Sequence, residues 1–202
     1  YLLTTHHFNI WEGGGGIYDV YVDACLLRGI ESFANKRYQE ALNDFEAALE
    51  YPENLEVGRP RNGRMSSRIL YFIGTAHEGL GNKERARESY DKSVSMDGGD
   101  SQILYYRGLA YKKIGRQTKA AEIFDRLIAV GKKRLEERAS SDFFAKFGEK
   151  EDQAAQMATA HYLIGLGYAG KGDQDDAKAE FDKALQLNAN HLWAAAQLKA
   201  LK

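Results

Sequence analysis

The sequence predicts an all-α fold, an α-solenoid of about four helix-turn-helix repeats, because three residue classes recur in step. A glycine is followed after twelve residues by alanine and after four more by an aromatic residue. Small residues at fixed offsets let two helices touch closely, while the aromatic fills the gap between one pair and the next. Only two prolines occur in 202 residues, so little interrupts the helices. The four occurrences are Gly29-Ala41-Phe45, Gly74-Ala86-Tyr90, Gly108-Ala120-Phe124 and Gly165-Ala177-Phe181.

The distances between these repeat glycines predict two insertions. Gly74 to Gly108 spans 34 residues, the natural period of such a unit, whereas the flanking intervals are 45 and 57 residues. The insertion near 52–64 contains both prolines and two glycines, so we expect an exposed loop. The insertion near 130–153 begins with a charged run that should extend the preceding helix. It ends in aromatic residues that must be buried against the solenoid or a partner, namely Phe143, Phe144 and Phe147.

The two ends of the chain differ from the repeats. Residues 1–16 have no helical period and end in four glycines, so we predict an N-terminal arm or linker before a repeat domain at 17–202. Residues 191–202 occupy the place of a fifth first helix, which predicts a C-terminal capping helix. Its packing face should carry Leu192, Ala195, Leu198 and Leu201. Helix N-caps are expected at Asn35, Asn82, Asp100 and Asp173.

Composition narrows the classes of partner. There are 28 basic and 29 acidic residues, so no uniform field attracts nucleic acid or an anionic membrane. No apolar run approaches the roughly 20 residues of a membrane span. The single Cys25 excludes an intramolecular disulfide. We expect a soluble chain that binds neither nucleic acid nor membrane, with a cytoplasmic location favoured. Since the chain begins at Tyr1 rather than Met, we also expect an excerpt or a processed form.

The repeat residues resemble the tetratricopeptide repeat (TPR). The fourth unit matches best, through Ile164-Gly165, Tyr168, Ala177, Phe181 and Ala184. The Trp usual in the first helix is replaced by Cys25, Leu70, Leu104 and His161. The resemblance implies a non-catalytic scaffold that binds protein segments. Some members grip a C-terminal carboxylate with Lys and Asn on the first helix of each pair. Leu26 and Ile30 stand at the corresponding places here, which disfavours that mode.

Several segments outside the repeat pattern are similar to the C-terminal region of a family of large bacterial proteins. In that family, a big N-terminal domain of unassigned function precedes tetratricopeptide repeats. The similar stretches are 6–14, 48–55, 58–62 and 142–144. This resemblance implies that the chain is the tail of a larger protein, and it implies no activity for any residue.

The residues that could carry chemistry lack the surroundings that chemistry requires. Residues 165–170 read G-x-G-x-x-G, but they should lie in mid-helix rather than at a strand-to-helix turn, so packing is favoured over nucleotide binding. His6 and His7 are adjacent and have no further ligands at a suitable spacing. Cys25 and His161 should be core residues without an activating neighbour. We therefore predict no catalytic, cofactor or metal site.

Recognition is the better hypothesis, and the first helices supply its residues. The places three before and one after each repeat glycine should line a concave, tyrosine-rich groove. An equally open alternative is that these tyrosines only pack against neighbouring helices. The predicted groove residues are Leu26, Ile30, Tyr71, Thr75, Tyr105, Leu109, Tyr162 and Leu166.

The sequence is compatible with three kinds of interaction. The groove could bind a protein segment or another domain of the same parent chain. The alternative is an accessory role in a larger enzyme, with Trp11 and Glu12 of the 6–12 arm helping to form a polar, carbohydrate-like ligand site. Self-association through Phe143, Phe144 and Phe147 is a third hypothesis.

Overall fold

The computed structural model describes residues 2–5, 16–50, 52–55, 66–96, 101–139 and 147–201. Every regular element within these ranges is helical, so the predicted all-α fold of stacked helix pairs is confirmed. The chain divides into two compact units, 1–99 and 100–202, which are described separately. No helix in the described ranges is long and apolar enough to cross a lipid bilayer.

The first unit contains two successive helix pairs. Helices α2 and α3 form the first pair, α4 and α5 form the second, and α3 also packs against α4. We call the first helix of each pair helix A and the second helix B. The elements are α1 (Leu2–Thr5), α2 (Gly16–Ala34), α3 (Tyr38–Ala47), a 3-10 turn (Glu53–Leu55), α4 (Ser66–Gly79) and α5 (Lys83–Ser95).

The second unit contains two further pairs and a terminal helix. Helix α6 packs on α7, α8 packs on both α7 and α9, and α10 packs on α9. The charged half of the second insertion continues α7, as predicted, with Lys132, Lys133 and Arg134 exposed. The helices are α6 (Ser101–Lys113), α7 (Gln117–Ala139), α8 (Phe147–Lys171), α9 (Gln174–Leu187) and α10 (Leu192–Ala200).

Each repeat glycine lies against the aromatic ring of its own helix B. A Cβ atom added to Gly108 or Gly165 would lie 2.5 Å from the nearest ring carbon of Phe124 or Phe181. Gly29 and Gly74 make the same contact with Phe45 and Tyr90. The recurring alanines are buried, which confirms the close helix contact: Ala41, Ala86, Ala120 and Ala177.

Two of these aromatic rings also fill the space towards the following pair, as the spacing predicts. In the first unit, the ring of Phe45 stacks on that of Phe72, with the centroids 5.2 Å apart. In the second unit, Phe124 lies against Gly170 of α8. These two rings therefore hold a pair together and attach it to the next pair of its unit.

A left-handed residue ends helix A seven places after every repeat glycine. The values of φ are 59° at Lys36, 78° at Gly81, 81° at Gly115 and 96° at Gly172. The next residue donates its backbone N–H to the carbonyl five places earlier, the hydrogen bond of a Schellman turn. Glycine recurs at three of these four places, and this second glycine period is a sequence signal for the turn that the predictions above do not include.

Two of the predicted N-cap residues stand at the N-cap position of a helix, but they do not act as side-chain caps. Asn82 and Asp173 precede α5 and α9, but their side chains make no capping hydrogen bond. Asn35 is not the cap of α3, because that place is held by Arg37. Instead, the Asn35 amide donates to the carbonyl of Glu31 in the preceding helix. The backbone hydrogen bonds of the Schellman turn hold Asn82 and Asp173 in place, so the helix that follows begins without a side-chain cap. Asp100 lies outside the described residues.

Tertiary contacts change the predictions for the arm and the first insertion. The arm contains a helical turn, α1, where no helical period is present in the sequence. Asn54 donates to the carbonyl of Leu3, and Leu55 is only 1% exposed. The described start of the insertion is therefore a packed 3-10 turn rather than an exposed loop.

The C-terminal helix packs on a different face from the one predicted. Trp193 and Ala194 are buried, while Leu192 is 48% exposed. Gln197 donates to the hydroxyl of Tyr106 at 3.4 Å, so it lies on the packed side of the helix. A buried Trp ring removes more apolar surface from water than Leu does, which explains the orientation.

We predict that Gly165→Ala lowers the free energy of unfolding by about 1–2 kcal/mol, since overpacking against Phe181 exceeds the helix propensity gained. Urea unfolding followed by circular dichroism measures this change. Gly16→Ala is the control, because a Cβ there meets no atom within 4 Å. Equal stability of the two variants would contradict the contact.

Candidate functional site

The predicted groove residues of the first unit are partly accessible. Leu26 is fully buried, whereas Ile30, Tyr71 and Thr75 are half-buried. The ring of Tyr71 lies 5.8 Å from that of Tyr90 on its own helix B. The hydroxyl of Thr75 donates to the carbonyl of Phe72, so its lone pairs remain as acceptors. This unit therefore presents a mixed apolar and polar surface at these places.

The groove residues of the second unit are more deeply buried. Tyr105 is 6% exposed, Tyr162 is 1% exposed and Leu166 is fully buried, while Leu109 is half-buried. The Tyr105 ring lies 6.1 Å from Phe124. The Tyr162 ring lies 5.8 Å from Phe181. Of the four groove residues in this unit, only Leu109 keeps substantial accessible surface.

The three predicted tyrosines thus share one packing role within their repeats. Each ring contacts the aromatic residue that its own repeat glycine accommodates. This is the packing alternative left open by the sequence, and it accounts for the burial of Tyr105 and Tyr162. That Ile30, Tyr71, Thr75 and Leu109 bind a partner stays a prediction.

The other predicted interaction residues fall outside the part of the chain that the structure describes. They include Trp11 and Glu12 of the arm, with His6 and His7. Phe143 and Phe144 lie outside it as well, and Phe147 begins α8 with its side chain outside it.

A buried ion pair links the two A helices of the first unit. Nη2 of Arg68 on α4 lies 2.7 Å from Oδ1 of Asp23 on α2, and the Arg68 side chain is only 6% exposed. Both residues stand six places before a repeat glycine. Opposite charges at this shared place in adjacent repeats are a signal that the sequence contains and that the predictions above do not use.

His161 has a charged neighbour, so the prediction of an isolated core histidine is wrong. Its Nδ1 lies 2.7 Å from Oε2 of Glu180 on α9, and Lys183 donates to the other carboxylate oxygen. Burial alone would raise the pKa of Glu180, but the hydrogen bonds from His161 and Lys183 outweigh it and leave the pKa lowered. Glu180 is therefore a structural anion held by two helices.

Cys25 is a core residue, as predicted. Burial raises the pKa of its thiol against the opposing effect of a hydrogen bond with Tyr21, so the protonated form persists at neutral pH. A nucleophilic cysteine needs the opposite shift. In addition, no group of three or more His, Cys, Asp or Glu residues in the described ranges could hold a metal ion.

The G-x-G-x-x-G stretch serves helix packing. All three glycines lie inside α8 rather than at a helix N-terminus. Gly165 contacts Phe181, Gly167 lies against Ile128 and the Phe124 carbonyl, and Gly170 lies against the Phe124 ring. Pyrophosphate binding needs free N–H groups at the start of a helix, which these residues cannot offer.

His191 caps α10 and packs on a predicted groove residue. Its Nδ1 accepts a hydrogen bond from the backbone N–H of Ala194 at 3.2 Å. Its ring centroid lies 4.6 Å from that of Tyr162. Burial lowers the pKa of His191, which favours the neutral ring that this cap requires.

Family models described as tetratricopeptide repeat match residues 26–101, 71–134 and 158–191. No curated protein matches the chain. Among solved structures, MamA 41-end from Desulfovibrio magneticus RS-1 is 18% identical, with 90% of this chain and 83% of that chain covered and a TM-score of 0.32. YrrB, described as a TPR protein with an unusual peptide-binding site, is 17% identical, with 94% of each chain covered and a TM-score of 0.32. The TPR2AB-domain:pHSP90-complex of yeast Sti1 is 14% identical, with 91% and 83% covered and a TM-score of 0.32.

We predict that Asp23→Asn lowers the free energy of unfolding by about 2 kcal/mol, since it removes the carboxylate charge that faces the buried Arg68 guanidinium. Chemical denaturation measures the change. The matched control is Arg28→Gln, which breaks the Arg28–Asp44 pair, where the arginine side chain is 65% exposed. Its cost should stay below about 1 kcal/mol. A larger loss in the control than in Asp23→Asn would contradict this ranking.

The His191 cap predicts a pH dependence of stability. The unfolded imidazole takes up a proton near pH 6.5 while the folded one resists it, so the free energy of unfolding should fall as the pH drops from 7.5 through 6.5. His191→Asn keeps an acceptor that does not titrate. It should therefore lose less stability than the parent protein between pH 7.5 and pH 5.5. Identical urea-unfolding profiles against pH for the two proteins would exclude the mechanism.

Proposed function

Because this chain belongs to the tetratricopeptide repeat family, we propose that it is a non-catalytic interaction scaffold whose A helices bind a segment of polypeptide. The segment belongs either to another protein or to another domain of the same parent chain. Helical repeat proteins of this kind use extended surfaces made from successive repeats for binding. The family assignment supports the general role, and the accessible residues of the A helices suggest where binding occurs.

One observation carries the choice of surface. The residue directly after the repeat glycine is half-buried in three repeats. These residues are Ile30, Thr75 and Leu109. A half-buried apolar side chain still gains free energy when a partner removes its remaining surface from water. The fourth place, Leu166, is fully buried and adds nothing.

The neighbouring side chains supply shape and polarity. Tyr71 contributes a rigid ring beside Thr75, a combination common at binding surfaces. Four places after the repeat glycines stand Phe33, which is half-buried, and the exposed Glu78 and Lys112. Glu78 lies in the first unit, and Lys112 lies in the second and donates to the Gly170 carbonyl, so no single sign of charge recurs at this place in the repeats. Recognition by apolar shape with local polar contacts fits this pattern better.

The packing of the reactive side chains supports the non-catalytic assignment. Cys25 is held as a buried thiol, and His161 is paired with Glu180 at side-chain exposures of 16% and 13%. A general base needs reach to a substrate proton. Both groups are instead committed to contacts between helices.

We predict that photo-crosslinking in the native host locates partner contacts on the A helices. Thr75 and Leu109 are each replaced by p-benzoylphenylalanine, and adducts are detected by mass-resolved blotting. Matched controls carry the same residue at Lys92 or Glu122, which are exposed on helix B. Adduct yields at Thr75 and Leu109 should exceed those of the controls several-fold.

A second variant tests whether Tyr71 contributes to the contact that the adducts report. Tyr71→Ala should reduce the Thr75 adduct on the order of tenfold, the loss expected for truncating an aromatic contact residue. Unchanged far-ultraviolet circular dichroism would show that the helices persist. Equal adduct yields at all four positions, or an adduct that survives Tyr71→Ala at full yield, would count against this surface.

A further inference from the structure

Helix α2 presents an accessible, mostly apolar stripe on the side opposite its buried residues. Val20 is 55% exposed, Ala24 and Ala34 are exposed, and Leu27 is half-buried. With Glu31, these residues stand at alternating intervals of four and three, the spacing with which one helix packs along another. The stripe extends over about 21 Å, since a helix rises roughly 1.5 Å per residue. We call it the α2 stripe: Val20, Ala24, Leu27, Glu31 and Ala34.

The same face is covered in the second helix A of each unit. Ile69 of α4 and Ala160 of α8 stand at the place of Ala24, and both are only 1% exposed. Leu163 of α8 stands at the place of Leu27 and is fully buried. The preceding helix B packs on each of these helices, α3 on α4 and α7 on α8. Helices α3 and α4 pack on α2 but leave its stripe accessible.

We propose that the α2 stripe is a docking surface for an amphipathic α-helix of a partner protein, with basic residues beside the apolar face of that helix. The partner helix takes the place on α2 that α3 takes on α4 and that α7 takes on α8. This site goes beyond the A-helix surface proposed above and shares no residue with it.

The way the inner helices are covered selects a helix as the occupant. At the place of Ala34, both α4 and α8 have a glycine that lies against an aromatic ring of the preceding helix B. The pairs are Gly79 with Tyr38 and Gly170 with Phe124. A small residue at this place lets the covering helix approach closely. Alanine is the next smallest residue, so a large apolar side chain of a partner helix fits beside it and removes apolar surface from water.

The charges of α2 select a basic partner. Of its four charged residues, Asp23 pairs with α4 and Arg28 pairs with α3. The other two, Asp19 and Glu31, are exposed carboxylates without an ion pair to any residue that the structure describes. A lysine or arginine beside the apolar face of the partner gives Glu31 a counter-charge. A second copy of α2 brings only further unpaired carboxylates, which disfavours pairing of two copies through this stripe.

The test uses a fluorescein-labelled peptide of residues 117–134, taken from the helix that covers the same face of α8. The peptide contains the Phe124 and Ile128 side chains that lie against α8, followed by three consecutive basic residues. One control peptide carries Phe124→Ala and Ile128→Ala. The second carries Lys132→Gln, Lys133→Gln and Arg134→Gln. Fluorescence anisotropy with the full chain should give a Kd on the order of 100 µM for the probe and at least about fivefold weaker binding for each control.

Variants of the full chain assign the binding to the α2 stripe. Ala24→Gln places a longer side chain in the path of the partner helix and should weaken the probe at least about fivefold. Glu31→Gln removes the unpaired carboxylate and should weaken it about threefold. The matched control is Ala179→Gln at an exposed alanine of α9, which should bind as the parent does. Far-ultraviolet circular dichroism should be the same for all of these proteins.

Three results would each overturn the proposal: equal affinity of the three peptides, unchanged affinity in Ala24→Gln, or an equal loss in Ala179→Gln. Light scattering that finds a dimeric parent and a monomeric Ala24→Gln variant would also overturn it, because a second copy would then occupy the stripe. Crosslinking at Thr75 and Leu109 should be the same in Ala24→Gln as in the parent. Failure of either proposal therefore leaves the other standing.

Discussion

The rest of this structure depends on one contact. A glycine on helix A, which has no side chain, lies directly against an aromatic ring on helix B. With the ring carbons 2.5 Å from where a Cβ of Gly108 or Gly165 would stand, no other residue permits this approach. The close approach buries Ala120 and Ala177 and brings Tyr105 and Tyr162 onto the same rings. Phe45 and Phe124 then extend the packing to the next pair in their own units.

Several of the polar groups in this core occur as matched pairs. Ser93 occupies the place held by a buried alanine at 48 and 184, and it exchanges hydrogen bonds with Ser67 at 2.7 and 2.8 Å. Asp23 with Arg68 and His161 with Glu180 follow the same rule across helices. An unpaired polar group at any of these places would cost about 1–3 kcal/mol. The pairs therefore keep the register of the helices specific as well as stable.

The helices and their order could be predicted because glycine, alanine and aromatic offsets act within one helix pair, where sequence distance fixes spatial distance. Contacts between segments that are far apart in the sequence could not be predicted from these offsets. The Glu180 carboxylate beside His161, the packed Leu55 and the helical turn at Leu2–Thr5 all depend on partners elsewhere in the chain. The sequence predicted more accessible groove residues than the structure shows. Periodicity indicates the helix face on which a residue lies, but it does not indicate how deeply that residue is buried. Tyr162 shows this, since His191 and Phe181 cover a ring that the pattern leaves open.

The turn glycines and the repeat glycines differ in how they can be replaced during evolution. At the left-handed turns there is open space around Gly81, Gly115 and Gly172, and Lys36 already stands at the fourth such place. A lineage can therefore exchange a turn glycine in one step at a modest conformational cost. A repeat glycine is constrained differently, because a larger side chain must displace the facing ring unless that ring has also become smaller. Descendants of this chain that replace a repeat glycine should therefore tend to change the facing aromatic residue as well.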